Sequence, residues 1–339
     1  MQDLFHDGYT SNRYSTIMDV KLFKPPGECM NTDKEENRKM RERIVEGKTK
    51  TLESFMNEKL VRITTKDSLT ANDGELMKSL KVAEYKTEQT CNVFELLSRK
   101  QVPVAYLERE DLRTFFAKKC RMIPIECVIR RQPHGSYLKR HPEKSSFDIF
   151  DPLLTEFFHK NTVVMPCTVH KNQHAINEET RLIPEDKARE YFMDENEGWN
   201  HEVYTDPLIE RGEKEWYLHP PKGRKKDKPL YTILPLLTEK AMVNIESLMR
   251  ATFSILEDAW KTHKVSLIDM KIEMGYTIED GELVVADVID NDSWRIWPHG
   301  DPKRQLDKQS FREGESDDEV VEKYRVVTEY TKQWGKSEL

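Results

Sequence analysis

Between Val265 and Tyr276 apolar and polar residues alternate, so that Ile268, Met270, Ile272 and Met274 share one face while Asp269, Lys271 and Glu273 share the other. That period predicts a strand with one side in a core and one side carrying charge. The turn residues IEDGE and the apolar run LVVADVI follow, and together they predict a β-hairpin. Its register depends on the loop. A two-residue Asp280-Gly281 turn sets Glu273 opposite Val288 and sends Asp287 to the other face. A three-residue loop, Glu279 to Gly281 with Gly281 left-handed, sets Glu273 opposite Asp287. We expect the second geometry, because it places two carboxylates where one hard cation neutralises both.

Leu80, Ala83, Thr87, Cys91, Phe94 and Leu97 recur at spacings of three and four, which predicts a helix with a single apolar stripe. Thr238 is an N-cap for a second helix, whose inner face is Ile245, Leu248, Met249, Thr252, Leu256 and Ala259 and whose end lies near Trp260. The tail from Asp317 to Trp334 reads as a third, amphipathic helix. Strand-like pieces are Ile44-Val45 running into EGKTK, Leu60 to Thr64, Val102 to Leu107, and Met122 to Ile129, where Pro124 demands an edge, a start or a bulge. Residues 1 to about 40 show no period and read as an extension, and from Thr162 to about Tyr231 the pattern dissolves into polar stretches.

A chain of 339 residues holds one large two-lobed domain or two ordinary ones. Hydrophobic residues make up 37% and charged residues 34%, a polar but folded profile. The net charge of −7 gives no reason to expect nucleic-acid binding, so anions must be held by local clusters. No apolar run is long enough to cross a bilayer, and the start MQDLFHDGYTSNRYS lacks the basic and apolar regions of a signal peptide; both point to the cytosol and to no membrane partner. Cys29, Cys91, Cys120, Cys127 and Cys167 form no CxxC pair, which argues against structural zinc and for a reduced compartment.

Candidate chemistry concentrates between Leu283 and Arg312. Asp287, Asp290, Asp292 and Arg295 stand there among Val, Ile and Trp, and half-buried carboxylates need a metal, an Arg or a ligand as partner. The stretch reads as the wall of an anionic-substrate site, with a surface ion-pair network as the alternative. Glu273 and Asp287 suit magnesium, which takes one or two carboxylates and completes its shell with phosphate oxygens and water; the alternative pairs Asp287 with Lys271 or an Arg and binds no metal. RRQPHGSYLKR, Arg130 to Arg140, gathers five basic side chains about a Gly-Ser turn, either as a solvated loop or as donors for phosphate or carboxylate. EGKTK, Glu46 to Lys50, lacks a Walker A pattern, but Lys48 and Lys50 fall on one strand face and suit a polyphosphate; plain surface lysines are the alternative. The basic run PPKGRKKDKP, Pro220 to Pro229, reads as a solvated loop, with partner contact the lesser alternative.

EGKTK, DSLTAND (67–73), CRMIPIECVIRRQPHGSYLKR (120–140), SLIDMKIEMG (266–275) and VVADVIDNDSWRIWPHGDPKRQLDKQSFRE (284–313) together resemble the phosphoribosylaminoimidazole-succinocarboxamide synthase (SAICAR synthetase) family, and DNDSWRIWP and DKQSFRE resemble its animal type. The likeness runs in order from about Val45 to the C-terminus apart from 162–237, and the length leaves no room for the AIR carboxylase-like domain of animal bifunctional proteins. It implies an α+β, two-lobed fold: a small antiparallel β nucleotide lobe, akin to kinase and ATP-grasp lobes, and a larger α/β lobe, with ATP in the cleft. The expected divisions are an extension over 1–43, the β lobe over 44–127 and the larger lobe over 128–339, with an insertion at about 162–205. The implied activity is ATP-dependent joining of carboxyaminoimidazole ribotide (CAIR) to L-aspartate through an acyl phosphate, giving SAICAR, ADP and phosphate.

Carried onto this sequence, the resemblance makes Lys48 and Lys50 phosphate-contacting, Met122 an adenine neighbour, Lys160 a nucleotide-binding lysine, and Glu273 and Asp287 the magnesium and nucleotide carboxylates. Arg130, Ser136, Asp206, Asp292 and Arg295 fall to substrate binding, and Lys48, Asp269, Lys271 and Arg295 to catalysis. A homo-oligomer is allowed and not required. Two other readings are a phosphotransferase acting on another small acceptor, for which HRD and DFG signatures are absent, and a catalytically silent scaffold, against which intact Lys48, Glu273, Asp287 and Arg295 weigh.

Overall fold

The computed structural model describes residues 41–55, 59–71, 76–165, 181–194, 198–199, 201–223 and 228–334. The expected extension up to residue 40, Cys29, Cys167, the end of DSLTAND and residues 224–227 of the basic run lie outside these. The described residues form two compact units, and the chain enters each more than once. One contains Ile123–Met274 with Ser293–Arg304; the other contains the described parts of Asp7–Met122, Gly275–Asp292 and Gln305–Leu339. A single division near residue 127 is therefore replaced by an interleaved one. Local pairing explains it: Cys120–Met122 pairs with Gly275, Tyr276 and Thr277, and helix Asp317–Trp334 packs on helix Ala83–Arg99.

The unit holding Ile123–Met274 is built on an antiparallel sheet. Its strands follow the order Tyr231–Ile233, Trp216–His219, Leu208–Arg211, Leu154–His159, Ile125–Arg130 and then Val265–Thr277, which Trp294–Pro298 also pairs. The predicted alternation holds on the long strand, where Ile268, Met270, Ile272 and Met274 are buried. Helix Glu239–Thr262 packs on Ile125–Arg130, burying Met242, Ile245, Met249, Phe253, Leu256 and Trp260. Thr238 caps it, its hydroxyl accepting from Ala241 N at 3.3 Å and so satisfying one of the first-turn donors. The supposedly patternless stretch after Thr162 is structured where described. Thr162–Met165, Leu182–Ile183 and Glu202–Thr205 form a three-stranded sheet, and helix Glu185–Phe192 closes a small core of Val164, Ile183, Ala188 and Phe192.

The other unit has a five-stranded antiparallel sheet in the order Arg41–Glu46, Lys50–Phe55, Leu60–Thr65, Thr114–Lys118, Tyr106–Arg109. Phe94 of helix Ala83–Arg99 stacks on Tyr106, which meets Phe115, so the predicted stripe faces this sheet. The strand expected over Met122 to Ile129 is broken. Proline has no N–H to donate, and the ladder stops at Met122 and resumes at Ile125, after Pro124. The hairpin loop is also corrected. Thr277 N–H donates to Glu282 O at 2.9 Å and Gly281 N–H to Thr277 O at 3.0 Å, so Ile278 to Gly281 make a four-residue loop, with Gly281 left-handed at φ 72° as expected. Thr277 Oγ1 and Asp280 bridge inside the turn and hold it wider than the three-residue form. Glu273 is therefore not set opposite Asp287 as expected: the returning strand is Leu283–Ala286, and Asp287 follows it at φ 63°. No described helix is long and apolar enough to cross a membrane.

Candidate active site

The long strand Val265–Thr277 has neighbours on both edges at Asp269, and the register sets Asp269 beside Arg130 on one side and beside Arg295 on the other. Three charged side chains thus stand in one row across three strands. Arg295 Nη1 donates to Asp269 Oδ1 at 2.8 Å and Oδ2 at 2.6 Å, and Arg130 Nη1 donates to Oδ2. Arg130 also donates from Nε to Glu156 Oε2 at 2.7 Å and from Nη2 to Ser136 Oγ at 3.4 Å. Burial pushes the Asp269 carboxyl up, but the Arg295 and Arg130 guanidinia outweigh it and hold the group below its ordinary range. Arg130, which the resemblance assigns to substrate contact, is only 3% exposed, and besides these partners it donates from Nη1 to His134 O at 3.3 Å. Arg295 is the accessible member, with its buried Nε lacking a partner among the described residues.

Two and four residues further along, the same strand carries Lys271 and Glu273. Lys271 Nζ donates to Glu126 Oε2 at 3.0 Å, and Lys160 Nζ donates to Glu273 Oε1 at 2.6 Å. The Glu126 charge, against the cost of burial, raises the Lys271 ammonium above its usual range, so it stays protonated. Asp206 belongs to the same neighbourhood. It is left-handed at φ 49°, its N–H donates to Asn161 O at 3.2 Å, and its carboxyl is pushed up to about 7. Burial is the main cause; the Glu126 charge adds to it, while Lys271 and Lys160 oppose. Asp206 is therefore a carboxyl that changes charge near neutrality.

In the other unit, Lys50 forms an ion pair with Asp287, which settles the partner of Asp287 as neither Lys271 nor an Arg. Lys50 begins a strand, whereas Lys48 is exposed in the bend before it, where Gly47 N–H donates to Lys50 O at 2.9 Å. The two lysines therefore do not share a strand face as expected, because the bend interrupts the alternation. Met122 ends its strand at 40% exposure beside Gly275, where an added Cβ would come within 3.1 Å of Met122 Sδ. Asp292 accepts from Lys86 at 2.8 Å and Tyr324 Oη at 2.5 Å and meets Lys308 at 3.2 Å, while its N–H donates to Asp290 at 2.8 Å. Burial opposes its charge, yet Lys86 and Lys308 hold its pKa far below the usual carboxylate range. This carboxylate is engaged in a buried ion cluster.

Glu126 and Glu156 in one unit, and Lys86 and Lys308 in the other, are neighbours of predicted site residues that were not singled out from the sequence. Glu126 carried a usable signal, standing four residues before Arg130 on one face of a strand. As to metal, Glu273 and Asp287 offer carboxylate oxygens, each beside a lysine ammonium, and no cluster of three or more His, Cys, Asp or Glu is assembled among the described residues. Each is an oxygen donor of the kind magnesium takes one or two of while nucleotide phosphates and water complete its shell, and neither belongs to an all-protein cage among the described residues.

The SAICAR synthetase family model matches residues 43–191 and 202–328, so the match takes in most of the segment read as an insertion. A phosphoribosylaminoimidazole-succinocarboxamide synthase from Chloroflexus aurantiacus is 33% identical over 299 residues, covering 86% of this chain and 96% of its own. A probable multifunctional protein of Caenorhabditis elegans is 33% identical over 298 residues, which are 86% of this chain and 57% of that protein. The fold is similar to the crystal structure of the synthase from Ehrlichia chaffeensis, with a TM-score of 0.60 at 21% identity over 86% of this chain and 98% of that one. It is also similar to a type-2 SAICAR synthetase solved in complex with ADP, with a TM-score of 0.58 at 20% identity over 86% and 98%. The chain therefore belongs to the SAICAR synthetase family of ligases.

Proposed function

We propose that this protein joins CAIR to L-aspartate at the expense of ATP. Family membership supports the reaction, and one observation carries its location: the row Arg130, Asp269, Arg295, which leaves Arg295 as a braced, accessible guanidinium for a phosphate or carboxylate. A carboxylate is a poor electrophile. A CAIR carboxylate oxygen therefore first attacks the γ-phosphorus, the bond to the ADP oxygen breaks, and an acyl phosphate forms. The neutral amine of aspartate then attacks the acyl carbon, phosphate leaves, and the nitrogen gives up a proton. Catalysis is chiefly positioning and charge neutralisation.

In this reading Lys48 and Lys50 neutralise nucleotide phosphates, Lys160 assists them, and Met122 lies against adenine. Glu273 and Asp287 would each offer magnesium a carboxylate oxygen, and the ion when bound would draw charge from the phosphate oxygens. Arg295 and Ser136 take the ribotide anion, and Arg130 acts from behind through Asp269. Lys271 and Asp206 bear on the reacting groups, and the engagement of Asp292 with Lys86 and Lys308 gives it a supporting role in place of direct contact. The test uses CAIR labelled with oxygen-18 in its carboxylate, together with ATP, magnesium and L-aspartate. One labelled oxygen should appear in the released phosphate for each SAICAR formed; unlabelled phosphate beside SAICAR excludes the acyl phosphate, and no SAICAR excludes the reaction.

A further inference from the structure

The charged row does not end at Arg130. Glu156 lies on strand Leu154–His159, two residues from Leu154, the register partner of Arg130, so its carboxylate comes to the same face as the Arg130 guanidinium. It accepts from Arg130 Nε at 2.7 Å through one oxygen and from Arg140 Nη2 through the other. The side chains therefore alternate in sign: Arg140, Glu156, Arg130, Asp269, Arg295. Three guanidinia face two carboxylates, leaving one unit of positive charge.

Exposure locates that surplus. The Arg140 and Arg130 side chains are 2% and 3% exposed, whereas Arg295 is 18% exposed. The buried end is pinned. Arg140 donates from Nη1 to Pro221 O, and its guanidinium lies 5.6 Å from the Phe158 ring centroid and 6.0 Å from that of Tyr137. A chain of charges fixed at one end and open at the other transmits the position of its first members to its last. Without Glu156, the Arg130 guanidinium loses its second carboxylate and competes with Arg295 for Asp269 alone.

We propose that Glu156 is a positioning residue for the substrate anion: by bridging Arg140 and Arg130 it fixes the Asp269–Arg295 pair and so aims Arg295. The proposal rests on the function above for the identity of that anion, the CAIR phosphate or carboxylate. Glu156→Gln is the informative change, because an amide keeps the shape but turns an N–H toward a guanidinium that only donates.

The experiment measures steady-state kinetics of the full chain in CAIR, ATP and L-aspartate for the wild type, Glu156→Gln, Glu156→Asp, Arg295→Lys and the Glu156→Gln/Arg295→Lys double variant. Glu156→Gln should raise KM for CAIR about tenfold while KM for ATP changes less than about twofold, and Glu156→Asp should recover part of the loss. In the Arg295→Lys background the same Gln change should alter KM for CAIR by less than about twofold, because the fork it aims is gone. An unchanged KM in folded Glu156→Gln, or an equal fold-change in both backgrounds, overturns the proposal. Should Glu156→Gln fail to fold, Arg140→Lys takes its place with the same expected direction, and an unchanged KM there overturns it too. A wild type that makes no SAICAR overturns the functional reading and this proposal with it; an active wild type with an indifferent Glu156 overturns this proposal alone.

Discussion

Gly135 and Arg295 divide a space that admits no side chain at position 135: a Cβ built on Gly135 would lie 2.6 Å from Arg295 Nη2. Gly135 is left-handed at φ 55°, so glycine is required both for backbone and for room. Gly135→Ala should displace the guanidinium and lower kcat/KM for CAIR by on the order of 100-fold. Its cost in urea unfolding should be only about 1–2 kcal/mol. Undiminished kcat/KM would mean that Arg295 does not work from this position.

Asp287→Asn separates charge from shape. Asn tolerates the left-handed backbone that Asp287 adopts at φ 63°, so the fold should persist while the ion pair with Lys50 is lost. ADP formation in the presence of CAIR should fall by roughly 100-fold or more, and excess magnesium should restore little of it. A variant that keeps wild-type phosphoryl transfer removes Asp287 from nucleotide chemistry.

The raised pKa of Asp206, about 7, has a direct consequence for stability. In the unfolded chain the carboxyl ionises near its ordinary value of 3.8, so between that pH and about 7 the folded state holds the proton more tightly. Stability then falls as pH rises through this window and levels off above it. Asp206→Asn removes the penalty, so its stability relative to the wild type should grow from pH 5 to pH 8 by roughly 1–3 kcal/mol in urea titrations. A difference independent of pH contradicts the environment described for this residue.

Lys86 is 3% exposed and stands between Asp292, at 2.8 Å, and Asp290, at 3.9 Å. Lys86→Met removes a buried cation from between two close carboxylates and should cost about 3–5 kcal/mol. Adding Asp292→Asn should return part of that loss, since the stranded charge goes with it. A double variant no more stable than Lys86→Met would show that the charges at these positions do not interact.

What the sequence showed and what it hid divide along the range of the interactions. Helix Asp317–Trp334 and the Thr238 cap were readable because their causes lie within a few residues. The charged face of Asp269, Lys271 and Glu273 followed from strand alternation alone, and the family motifs marked Arg130 and Arg295. No local pattern, however, joins Glu156 to Arg140 and Arg130, since that contact is made by strand register and by the helix Ser136–Arg140. The hairpin loop gained a residue through the Thr277–Asp280 side-chain bridge, which turn composition does not reveal. Strands of two to four residues after Thr162 are too short to establish a period, so their small core went unseen.

The measurement that bears most directly on the whole account is turnover by purified protein in four parallel omissions, each lacking one of ATP, magnesium, CAIR or L-aspartate, with SAICAR and ADP followed together. SAICAR and ADP should form in equal amounts from the complete mixture, with no SAICAR from any omission. ADP without SAICAR in the complete mixture, or binding of ATP with no turnover at all, would contradict it.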